Sequence, residues 1–107
     1  MENQTEQKIV NVEALKRKHG TVYSLTIPRN DESTEFAVGY LRKPDRATLK
    51  VVISKIDNDP VSAMEILLNT CWLEGDEDIK TDDELFFGAM GQLQQMVTIR
   101  TGELKKI

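Results

Sequence analysis

The apolar residues of this chain change period near Pro44, and that change decides the fold class. Tyr23, Leu25 and Ile27 alternate with Ser24 and Thr26, and Phe36, Val38 and Tyr40 form a matching alternation further on. A period of two belongs to half-buried β-strands. Between the two runs, Pro28-Arg29-Asn30-Asp31-Glu32-Ser33 has no apolar residue and is rich in turn formers, so the segment reads as a β-hairpin with a mobile tip. Beyond Pro44 the spacing becomes helical: Leu49, Val52, Ile53 and Ile56 recur at i, i+3, i+4 and i+7. Since a lone hairpin is only marginally stable, its apolar face must rest on the helices. The expected fold is α+β: a short N-terminal helix, a β-hairpin, then two to three amphipathic α-helices packed on it.

Local signals place the boundaries. Val12–Lys18 can form one or two helical turns stopped by Gly20. After the second strand, Arg42-Lys43-Pro44-Asp45-Arg46 turns the chain, with Asp45 able to accept from the free amides of the helix that follows. Val51-Val52-Ile53 is β-branched and could also read as strand; the stripe favours helix. Asp59 is the expected N-cap of the next helix and Pro60 its first residue. Val61, Met64, Leu67, Leu68, Cys71 and Trp72 keep one side of it apolar, and Gly75 is the expected stop. Thr81-Asp82-Asp83-Glu84 matches a capping box. Leu85, Phe86, Ala89, Met90, Leu93, Met96 and Val97 then face the core, and the tail 99–107 is either a last turn or a loose arm. The expected core is Phe36, Leu49, Ile53, Leu67, Leu68, Leu85, Phe86 and Leu93.

The chain has 107 residues, of which 39% are hydrophobic and 30% charged, enough for one core without a metal or disulfide. Polar residues 1–10 read as a flexible N-terminus and 11–107 as a single α+β domain. Apolar runs such as Ile66-Leu67-Leu68 are too short to cross a bilayer, and the polar start is unlike a signal peptide. A cytoplasmic protein without a membrane partner is the expectation.

Chemistry-bearing motifs are sparse. Cys71 and His19 are the single cysteine and histidine, and Cys71 sits on an apolar stripe where a thiol is inert. An EF-hand count from Asp76 puts Lys80 at the fifth position, Thr81 at the sixth and Phe87 at the twelfth, where the loop needs an oxygen ligand, glycine and glutamate. The scattered glycines form no phosphate loop. The expectation is therefore no enzyme, no catalytic or metal-binding residue and no cofactor.

Charge is uneven. Residues 1–50 carry nine Lys/Arg against seven Asp/Glu, a balance of +2; residues 51–107 carry five against eleven, a balance of −6, which together give the net −4. Basic residues gather at Lys16-Arg17-Lys18 and at Arg42, Lys43 and Arg46; acidic ones follow Gly75, including Asp76 and Asp78. Opposite patches of this kind steer a charged partner or a second copy of the chain. A pI of about 5.0 makes nucleic acid an unfavourable partner. Trp72, beside the acidic stretch, is a candidate anchor for an apolar partner, with a core role as the alternative. The candidate partner-binding residues are Arg42, Lys43, Arg46, Trp72, Asp76 and Asp78.

The order of these elements, with Arg42–Arg46 closing the hairpin, Asp59-Pro60 opening Val61–Asn69, then Cys71-Trp72-Leu73-Glu74-Gly75-Asp76 and a last helix from Asp82, resembles small tail-assembly chaperones of tailed bacteriophages and prophages over residues 20–97. The resemblance implies a non-enzymatic protein of the bacterial host cytoplasm. Its implied partners are the helical tape-measure protein and the tail-tube protein, and it carries over no residue-level site. A homo-oligomer is compatible with it. The alternative is a small adaptor or nucleic-acid-associated regulator using the basic segments 16–19 and 42–46.

Overall fold

A computed structural model of the chain describes residues 11–97 and 104–107. The N-terminal stretch 1–10 lies outside the described residues, as does most of the tail; 104–107 has no regular structure and is exposed. Among the described residues the fold is α+β: α1 (Val12–His19), β1 (Val22–Pro28), β2 (Phe36–Arg42), α2 (Arg46–Ile56), α3 (Pro60–Cys71), β3 (Trp72–Gly75), α4 (Asp78–Thr81) and α5 (Asp83–Met96). The strands form one antiparallel sheet in the order β1-β2-β3.

Three helices start where their caps dictate. The Asp45 carboxylate accepts from Thr48 N at 2.8 Å and that of Asp59 from Ser62 N at 3.1 Å, each satisfying an amide that has no partner within the helix. At α5 the cap is Asp82, which accepts from Leu85 N at 3.1 Å. This corrects the capping-box reading: Thr81 ends α4, the short helix inside the acidic stretch, so its backbone is already committed one turn earlier.

The core lies between one face of the sheet and helices α3, α4 and α5. Leu25, Ile27, Ala37 and Leu41 meet Met64, Leu67, Leu68, Cys71, Ile79, Phe86, Ala89 and Leu93 there, all buried. Helix α2 packs chiefly on α3 and contributes Val52, with Ile56 half-buried. Leu67, Leu68, Leu85, Phe86 and Leu93 are core as expected.

Two expected core residues are not. Ile53 is 44% exposed, because α2 turns Thr48, Val52 and Ile56 inward instead. Phe36 is 41% exposed because β2 presents the opposite parity. Register pairs Leu25 with Gly39 and Ile27 with Ala37, so the small residues of β2 face the helices while Phe36, Val38 and Tyr40 face away. Leu49 is only half-buried.

The sheet also has a third strand. β3 follows α3 directly and pairs with β2 through Gly39 with Gly75 and Tyr40 with Glu74, with a register shift before Leu41 with Trp72. Gly75 therefore ends a strand rather than a helix. Its φ is +134°, and a β-carbon there would come within 2.4 Å of Val38 O, so only glycine lets the two backbones approach. Gly39 is constrained differently: its β-carbon would sit 2.7 Å from the Trp72 ring.

A candidate partner-binding face

Because α3, α4 and α5 all pack on one side of the sheet, the other side is left without a helical layer among the described residues, apart from α1. Its central strand carries Phe36, Val38 and Tyr40, flanked by Val22, Ser24 and Thr26 of β1 and by Glu74 of β3. Phe36 is exposed and Val38 and Tyr40 are half-buried. Val12 and Lys16 of α1 wall a groove of about 480 Å³ whose floor includes Val22, Ser24, Thr26, Val38 and Tyr40. Helix α1 has no buried residue, so it forms a rim to the sheet rather than part of the core. Hydroxyls on one side of the floor and apolar or aromatic side chains on the other suit an amphipathic protein segment better than a small polar metabolite.

Charge is distributed along the strands. Val22 pairs with Arg42, and α1 ends at His19 just before β1. The basic segments 16–19 and 42–46 therefore meet at one end of the sheet. At the opposite end, near the hairpin tip, stand Asp76 and Asp78.

Several of the sequence-predicted site residues are engaged within the fold. The Arg42 guanidinium donates to Thr70 O at 3.1 Å and to Lys43 O at 3.4 Å, placing positive charge on a free carbonyl at the end of α3. Lys43 and Arg46 are exposed beside it. The Asp76 carboxylate accepts from Val38 N at 2.9 Å while Asp76 N donates to Val38 O at 2.8 Å, so Asp76 extends the β3 edge by one residue. Asp78 holds Arg29 in a bidentate pair at 2.8 and 3.2 Å, and Asp76 approaches the same guanidinium at 3.6 Å. The hydrogen bond from Arg29 lowers the Asp78 pKa below its ordinary value.

Trp72 is half-buried and its ring lies against Gly39. The indole Nε1 donates to Glu77 Oε2 at 2.9 Å, Lys80 Nζ sits 4.9 Å from the ring centroid, and Lys80 pairs with Glu77 Oε1 at 2.7 Å. Trp72, Glu77 and Lys80 thus tie the acidic stretch down onto the sheet. Burial raises the Cys71 pKa, and the thiol is wholly enclosed. Phe36 was expected in the core because alternation marks two faces without saying which one is covered. The signal that could have placed it is the small pair Ala37 and Gly39, which only a tightly packed face requires.

No protein-family profile matches the chain, and no curated protein matches it. A solved structure with the same fold is that of uncharacterised protein rbstp2171 from Bacillus stearothermophilus. It is 21% identical with a TM-score of 0.60, and the match covers 90% of this chain and 100% of that one. At that identity the likeness speaks for the fold alone. No helix among the described residues is long and apolar enough to cross a membrane.

Proposed function

We propose that this chain is a non-enzymatic binding protein of the tail-assembly chaperone kind, acting in the cytoplasm of a bacterial host and covering an apolar helical segment of a tape-measure protein. The observation that carries the reading is the largely uncovered sheet face, where Phe36 stands in a row with Val38 and Tyr40, the last two on the floor of the groove under α1. A long helix with an apolar stripe aggregates unless something covers that stripe, and a sheet face with a rim offers a shallow, sequence-tolerant cover. The basic end of the face, with Lys43 and Arg46 exposed, would steer an acidic stretch of such a partner during encounter. The tail-tube protein is the second partner that this role implies.

Co-expression with a tape-measure fragment tests the proposal. The fragment should be recovered soluble and in complex with the wild-type chain, and it should be lost to the pellet with Phe36→Glu or Tyr40→Glu. Equal solubility with and without the chain would refute it.

A further inference from the structure

Among the described residues β1 is an edge strand, and part of its outer edge is already closed. The Gln92 side chain of α5 takes both backbone groups of Thr26: Thr26 N donates to Oε1 at 3.3 Å and Nε2 donates to Thr26 O at 3.0 Å. A side-chain amide here does what a neighbouring strand would do. It also shows which way the strand faces, because in an antiparallel ladder alternate residues turn both backbone groups to the same side. The N–H and C=O of Ser24 and Val22 therefore point outward with those of Thr26, and among the described residues nothing bonds them. Beside Ser24 lies a cavity of about 210 Å³ lined by Tyr23, Leu25, Gln92, Gln95 and Met96, and Tyr23 is 38% exposed.

We propose that this edge pairs antiparallel with β1 of a second copy of the chain about a two-fold axis at Tyr23, joining the two sheets into one of six strands. The register follows from the Gln92 closure. Centring the axis on Ser24 would set Val22 against the closed Thr26 of the other copy, whereas centring it on Tyr23 sets Val22 against Ser24 in both directions. Each of these pairs exchanges both of its N–H···O bonds. The two Tyr23 side chains then meet directly opposite one another, next to the two cavities. A second copy fits this edge because Val22–Ile27, Gln92, Gln95 and Met96 carry no charge, so no like charges stand directly opposite one another in the paired strands, although the basic ends at 16–19 and 42–46 of the two copies come to the same seam. The lysine or proline that usually keeps edge strands apart is missing from the segment that would pair, Val22–Ser24; the strand's one proline, Pro28, lies beyond the closed Thr26. The two outer faces would become continuous, doubling the surface presented to a partner.

Sedimentation equilibrium of the full chain from micromolar to millimolar concentration tests this. The wild type should reach the mass of a dimer. Ser24→Pro removes an outward N–H without touching the β1–β2 ladder, and Tyr23→Lys places like charges across the axis; each should raise the dimer dissociation constant by about tenfold or more, with unchanged circular dichroism. Phe87→Lys, at an apolar residue 54% exposed on α5, should leave the dimer intact. If Ser24→Pro does not fold, Tyr23→Lys decides. A wild-type monomer throughout, or a dimer that survives Tyr23→Lys, would overturn the proposal.

Discussion

Gly39 and Trp72 show how much one missing side chain can decide. The Trp72 ring occupies the space that any β-carbon at 39 would need, at 2.7 Å, so Gly39→Ala must displace the ring or the strand. Overpacking of this kind costs about 1–3 kcal/mol, and urea denaturation should show a loss in that range. Trp72→Ala removes the ring from the other side of the same contact and should cost on the order of 3 kcal/mol. As the chain's single tryptophan, Trp72 reports on itself: Glu77→Gln, which removes the charge from the acceptor of the indole N–H, should shift its fluorescence maximum while leaving the fold intact. Neither the ring's neighbour nor its acceptor was legible in the sequence, because Gly39 lies 33 positions away and strand register is a tertiary choice.

At the scale of elements, legibility followed the range of the signal. α2 and α3 were readable because Asp45 and Asp59 act within three residues, accepting from Thr48 and Ser62, and α1 because Gly20 closes it; its N-cap Asn11, which accepts from Ala14, was not read from the sequence. β3 was not, since a strand of four residues directly after a helix has no room for a period to show. The parity of β2 was not either, since both faces of that strand carry plausible residues. The caps give a pH dependence with a definite sign. Hydrogen bonds from Thr48 and Ser62 lower the pKa of Asp45 and of Asp59, and the one from Arg29 lowers that of Asp78. Carboxylates depressed in the folded state contribute stability that is complete above their unfolded pKa and lost as pH falls through the folded one. Thermal unfolding should therefore be flat from neutral pH down to about 5 and weaken below about 4. Asp59→Asn, which still caps, should lessen that dependence; Asp59→Ala should lower the melting temperature at neutral pH as well.

At the scale of the molecule, the sheet is a divider. One side is packed to completion by helices α3, α4 and α5, and Leu68→Ala there should cost about 2–5 kcal/mol in a single cooperative transition. The other side keeps an aromatic and apolar row under a loosely seated helix, with basic residues at one end and Arg29 held by carboxylates at the other. The fold class was legible from period alone; the face that remains open depends on which side the helices choose, and helical stripes do not encode that choice. The open face is the central claim, and amide chemical-shift mapping tests it most directly. On titration with a tape-measure helical segment, the shifts should gather on Val22–Thr26 and Phe36–Tyr40 and on α1, and Phe36→Glu should abolish binding while Ile53→Glu leaves it unchanged. Shifts confined to α2 and α5, or binding that survives Phe36→Glu and fails with Ile53→Glu, would contradict the account.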